Sequence, residues 1–218
     1  MSSTIKMTCP GWNTLGNVNY SSFTGEPLDI VKIPVKHRRR CTPISKLVLE
    51  SYLSLANTLN INASNIPIVY ASAHGEIGIF ETMLETMFDN EALSPVDFCN
   101  SVHHTPSGYL SMVIQNTGIS RTVSANEKSF VYGLLEVMNL MQEHEMVSLL
   151  AGDEPVGEVF GVQDIFPKSI FGASFVFKRI NNNDSVLKAW TLDDVLAMIS
   201  AQINNPFDFI DELNNEHS

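Results

Sequence analysis

A short apolar strand that runs into a glycine turn and then into a helical repeat is the pattern that most restricts how this chain can fold. Ile66-Pro67-Ile68-Val69-Tyr70-Ala71 is rich in β-formers, and Ser72-Ala73-His74-Gly75 makes a turn. Ile77, Phe80, Leu84 and Phe88 then recur along one helical face. The order returns at Arg121-Thr122-Val123-Ser124, a strand candidate, followed by a helix over 130–141 whose Phe130, Leu134, Val137 and Met141 share a face. Strands that alternate with helices must cross over to reach their neighbours, so the class is α/β, with a mixed, mostly parallel sheet covered by helices.

The rest of the chain fits around these units. The first 35 residues mix Gly, Pro and Asn with short apolar pieces such as Ile30-Val31-Lys32-Ile33, which predicts irregular structure with one or two short strands. Pro43 precedes an amphipathic helix over 44–59, marked by Ile44, Leu47, Val48, Tyr52, Leu55 and Leu59. Ser94-Pro95 predicts a helix start, with Ser94 as cap and Asp97 in the first turn. The segment 103–108 leads into a short helix over 109–115, and 146–151 is a buried strand closed by a solvated acidic turn, Gly152-Asp153-Glu154-Pro155. Residues 173–178 alternate as a strand, 181–184 turn, and a last amphipathic helix covers 192–203 before an acidic tail, mobile beyond Leu213. With no repeat and no linker in 218 residues, one domain is expected.

Charge and cysteine usage exclude several functions. The formal charge is −11, from 24 acidic against 13 basic residues, which disfavours a phosphate backbone as partner. Cys9, Cys41 and Cys99 are odd in number and widely spaced, so neither a disulfide framework nor a structural zinc site is expected, and a reducing, cytoplasmic compartment is. No stretch has the roughly 18–20 apolar residues that cross a bilayer. Gly75 and Gly78 follow a strand but lack the phosphate-binding fingerprint.

Few residues stand out as chemical candidates. His103 and His104 are adjacent in a segment read as extended, so they point apart and make a poor ligand pair, and Glu143-His144-Glu145 lacks the second histidine of a zinc-protease helix. Together with Asp153 the two histidines are nonetheless the acid/base candidates if the chain is an enzyme. The dense positive run Lys36-His37-Arg38-Arg39-Arg40 suits an anionic cofactor arm or an acidic protein.

The middle of the chain adds a resemblance. Ser94-Pro95-Val96-Asp97-Phe98-Cys99-Asn100-Ser101-Val102-His103-His104, then Gly108, then Gly118-Ile119-Ser120-Arg121-Thr122-Val123-Ser124 resembles the amino-terminal half of a β-ketoacyl synthase. The likeness extends to Leu149-Leu150-Ala151-Gly152-Asp153-Glu154 and Gly172-Ala173-Ser174-Phe175-Val176-Phe177, covers roughly 40–180, and is nearest to the short ketosynthase-like proteins of aryl polyene biosynthesis.

That resemblance implies a thiolase-like, half-length ketosynthase core and a dimeric assembly in which Arg121, Thr122, Val123 and Ser124 lie near the partner. In an active relative this strand runs into a nucleophilic cysteine, whereas Glu127 stands at the matching position, within Ala125-Asn126-Glu127-Lys128-Ser129. A carboxylate cannot form and release a thioester as a thiolate does. The catalytic histidines of a carboxy-terminal half have no counterpart, and 185–218 would form a local cap. The expectation is therefore a chain-length-factor-like subunit without catalysis or cofactor of its own, paired with a full-length ketosynthase. The substrate would ride on the phosphopantetheine arm of acyl carrier protein, met by Arg38, Arg39 and Arg40. The alternatives are a small independent acyl-processing enzyme and a structural or carrier-binding module.

Overall fold

In the computed structural model, the described residues are 33–157 without a break, together with 5–7, 19–20, 160, 167, 170–178, 188–190, 195–198, 206 and 208. Their elements run β1 (Ile5–Met7), β2 (Asn19–Tyr20), α1 (Val35–Arg38), α2 (Pro43–Leu59), β3 (Ile68–Ala71), α3 (Ile77–Phe88) and α4 (Pro95–Asn100). Then come α5 (Thr105–Ile114), β4 (Ser120–Val123), α6 (Ser129–Leu140), β5 (Met146–Asp153), β6 (Phe171–Lys178) and β7 (Lys188–Trp190).

Five strands form one sheet in the order β2-β6-β5-β3-β4, and β1 pairs with β7 apart from it. β3 runs parallel to both β4 and β5, while β6 is antiparallel to β5 and to β2. The sheet is thus mixed, with its parallel strands β5, β3 and β4 together at one side, as the strand–turn–helix order requires.

Alternation along the strands sorts the core into two layers. Ile68 and Tyr70 of β3 pack with Leu150 and Val176 against Ile44, Val48, Leu49 and Tyr52 of α2 and Leu110 of α5. Val69 and Ala71 point the other way, with Leu149, Phe175 and Phe177, against Val131, Leu134 and Val137 of α6. α2 lies unusually close to the sheet: a Cβ at Gly172 would sit 2.7 Å from the backbone of Leu47 and Val48. Glycine is needed there because backbone meets backbone.

The helix ends follow their sequence signals. Thr42 Oγ1 accepts from the Ser45 amide at the start of α2, with Pro43 in the first turn, and Asn60 ends the helix at φ +51°. Ser94 caps α4 through the Asp97 amide. Two boundaries differ from expectation. α5 begins at Thr105, four residues early, because Pro106 falls in the first turn, where a missing donor costs nothing. β5 extends through Gly152 and Asp153, so the expected solvated turn there is a buried strand end. The described part of the first 35 residues holds two short strands, β1 and β2, as expected; most of the helix over 192–203, of the cap 185–218 and of the tail lie outside the described residues, although residues 195–198 are helical and Val195 and Met198 join the α6-side core.

Candidate functional site

The parallel pairing sets Ala71, Val123 and Ala151 side by side, so β3 and β4 end together and β5 runs two residues further, to Asp153. In α/β sheets the crevice beyond such carboxyl ends is where sites are built. Here the end is organised by Asp153. Buried at 4 % exposure, it accepts from Ser72 Oγ at 2.6 Å and from the Ala73 and His74 amides at 2.9 and 2.8 Å. Ser72 Oγ in turn accepts from the Gly75 amide, whose φ of +62° closes the turn. Burial pushes the Asp153 carboxyl up, and the three donors oppose that rise. Its neighbour Glu154 accepts from the Gly78 amide at the first turn of α3, and burial raises its carboxyl too.

His103 serves the same turn. Its Nε2 hydrogen-bonds the Ser72 carbonyl at 3.0 Å, and its ring fills the space beside Gly75. Residues 102–104 form a bend and turn rather than the expected extended segment, because α5 starts at once afterwards. His104 sits at the start of α5, exposed and apart from the turn that His103 supports. His103 Nε2 and Asp153 therefore share Ser72 as a partner, and both Asp153 oxygens are taken up by donors of the turn.

Glu76 is a residue that sequence reasoning passed over. It is 2 % exposed, and its Oε1 accepts from Thr42 Oγ1 at 2.8 Å and Ser45 Oγ at 3.2 Å. Burial, and secondarily repulsion from Glu154, push its carboxyl up to about 7, against the pull of the two hydroxyl donors. The available signal was a charged residue directly after a glycine turn that opens an apolar helix; nothing local marked its partners, 31 and 34 residues away.

At the position expected to replace a nucleophile, β4 leads through Ala125 and Asn126, the latter at φ +55°, into α6. Ser129 Oγ closes this turn by accepting from the Ala125 amide and donating to the Asn126 carbonyl. Glu127 is exposed and, among the described residues, takes none of the expected hydrogen bonds from backbone donors or a basic side chain, because Ser129 already serves the turn. The cavity beside it has a volume of about 10 Å³, walled by Ala71, Phe130, Asp153, Phe171 and Pro206. That is about the room for one water and none for an acyl chain.

The interface candidates lie on an open edge. Among the described residues β4 has β3 as its one sheet neighbour, and Ser120, Arg121 and Thr122 are exposed. Arg121 pairs with Glu136 of α6, and Ser124 Oγ donates to the Ala73 carbonyl, so both are also tied within the chain. Large apolar side chains are also exposed on α3 and α4, which touch each other, among them Met87, Phe88, Val96 and Phe98, with Phe88 at 76 %.

The basic run forms the short helix α1 and the residues after it. An open cleft of about 530 Å³ separates it from α4 and α5, lined by Lys36, His37, Arg40, Cys99, His104 and Met112 among others. Arg38 and Arg39, expected to work with Arg40, do not line this cleft. Asn100 Nδ2 and Tyr109 Oη donate to the Arg40 carbonyl and fix the base of the cleft. Among the described residues no group of three or more His, Cys, Asp or Glu is placed to hold a metal ion, and no helix is long and apolar enough to cross a membrane.

Comparison with known proteins agrees with this architecture. No curated protein sequence matches. Among solved structures, a ketosynthase (ApeO) in complex with its chain length factor (ApeC) from Xenorhabdus doucetiae superposes with a TM-score of 0.63 at 23 % identity, over 83 % of this chain and 81 % of that one. The ishigamide ketosynthase/chain length factor gives 0.60 at 11 % identity, over 85 % of this chain and 56 % of that one. A β-ketoacyl synthase from Burkholderia phymatum STM815 gives 0.53 at 18 %, over 82 % and 52 %. These likenesses establish a thiolase-like ketosynthase fold, and the chain spans about half the length of the latter two. The β-ketoacyl synthase N-terminal domain model matches residues 12–186, and the chain belongs to that family.

Proposed function

We propose that this chain is a non-catalytic, chain-length-factor-like subunit that pairs with a full-length β-ketoacyl synthase in aryl polyene biosynthesis, stabilising it and shaping the cavity for the growing polyene. The observation that carries this reading is the turn between β4 and α6. It presents Glu127, not a thiol, beside a space of about 10 Å³. Asp153 supports the same reading, since both its oxygens accept from donors of the β3–α3 turn, and His103 Nε2 is held by the same turn.

The open edge of β4 and the apolar side chains of α3 and α4 supply what a partner would cover. The reaction served would be decarboxylative condensation with a malonyl carrier protein, its cysteine and histidines belonging to the ketosynthase. The phosphopantetheine arm of the carrier is anionic at its phosphate and suits the cleft of Lys36, His37, Arg40 and His104.

Coexpression with a full-length ketosynthase from the same source, native mass measurement and a condensation assay with and without this chain test the proposal. A stable heteromer with product length dependent on this chain is expected. A partner that condenses to the same products alone, or no complex at micromolar concentration, would overturn it.

A further inference from the structure

We propose that the Glu76 carboxyl is a proton-dependent latch, holding the amino end of α2 against the β3–α3 turn when protonated and letting it part when ionised. The geometry sets the two states. Oε1 is served by two hydroxyls of the α2 start, Thr42 and Ser45, while Oε2 is buried with no partner among the described residues. A neutral carboxyl tolerates that shelter; a carboxylate with one bare oxygen there bears a desolvation cost that water would relieve.

The surroundings offer little compensation. Among the described residues the titratable groups that interact with Glu76 are Glu154 beyond β5, Cys41 just before α2, Tyr70 on β3 and Tyr109 on α5. Glu154 repels, the thiol and the phenols are themselves pushed up by burial, and Lys46 acts on Cys41 rather than on Glu76. Parting α2 from the turn lets water reach Oε2. Residues 36–40 directly precede this joint, and Arg40 stays tethered through its carbonyl by Asn100 and Tyr109. Opening therefore hinges at Arg40 and alters the cleft lined by Lys36 and His37.

The direction follows from linkage. The carboxyl is protonated up to about 7 when latched and up to its ordinary 4.5 when released. Opening therefore becomes easier as pH rises between those values and levels off above the upper one.

Amide hydrogen exchange on the full chain, corrected for intrinsic rates, reads this out. Protection of the Ser45 and Lys46 amides is expected to fall roughly fortyfold from pH 5 to 7 and then to level off. It should lie below that of the β5–β6 amides throughout, and Glu76→Gln should flatten the profile. Ser45→Ala removes a donor that favours the ionised form, so it should move the levelling-off to higher pH; it keeps the test usable if the Gln variant does not fold. A flat wild-type profile at Ser45 and Lys46 would overturn the latch. So would protection equal to that of β5–β6, since the carboxyl would then be released only by unfolding of the whole chain.

Discussion

Replacing Asp153 removes the acceptor for three donors at once. In Asp153→Ala, Ser72 Oγ and the amides of Ala73 and His74 lose a carboxylate that now lies 2.6–2.9 Å away. A buried donor left without a partner costs about 1–3 kcal/mol, with the half-buried Ala73 and His74 amides at the low end, and the relief of no longer burying a charge offsets part of the sum. A net loss of about 3–5 kcal/mol follows, a large share of the stability of an ordinary domain. Asp153→Asn keeps one acceptor oxygen but turns an amide nitrogen toward an N–H, so about 2 kcal/mol is expected. With a urea slope of about 2 kcal/mol per molar, the alanine variant should unfold about 2 M earlier and the asparagine variant about 1 M earlier, with slopes unchanged. A shift below about 0.5 M for Asp153→Ala would show that the β3–α3 turn stands without its carboxylate and would refute the reasoning.

Three further outcomes are expected. Gly172→Ala brings a methyl to 2.7 Å from the α2 backbone and should cost about 2–3 kcal/mol, read as a lowered denaturation midpoint. The raised carboxyl of Glu76 makes the folded chain bind a proton that the unfolded chain releases. Its contribution is therefore whole below pH 4.5, and about 3 kcal/mol is lost as pH climbs to about 7, a loss that Glu76→Gln should abolish in denaturation at pH 5 and 7.5. Phe88→Ser with Phe98→Ser, both on exposed side chains, should leave the chain folded but weaken copurification with a ketosynthase at least tenfold; unchanged affinity would place the interface elsewhere.

The elements were legible because their signals are local. The β-formers of Ile68-Val69-Tyr70-Ala71 marked the strand, and its two faces meet different helices as the period of two requires. The caps Thr42 and Ser94 act within three residues of themselves. The start of α5 was expected at Tyr109, whereas Pro106 lies in its first turn.

The site was less legible because its contacts are long-range. Gly152-Asp153-Glu154-Pro155 has the composition of a solvated turn, and the pairing of Gly152 and Asp153 with β6 and the arrival of Ser72, about 80 residues earlier, make its first half a buried strand end. Glu76 was hidden for the same reason. Glu127 was legible through resemblance, yet the contacts expected for it are absent among the described residues, because Ser129 supplies the turn from inside α6. The basic run was visible, but a helical turn at α1 and the facing side of α5 decide that Lys36, His37 and Arg40 line the cleft while Arg38 and Arg39 do not.

Acyl loading tests the central claim most directly. The assembled complex is incubated with acyl carrier protein bearing an acyl chain, and the intact mass of each subunit is measured under conditions that preserve thioesters, beside steady-state condensation by the same sample. The expected result is an adduct on the ketosynthase, none on this chain, and condensation unchanged in Glu127→Gln when native mass shows assembly intact. A covalent acyl adduct on this chain, or loss of the chemical step in Glu127→Gln with assembly and carrier binding preserved, would contradict it.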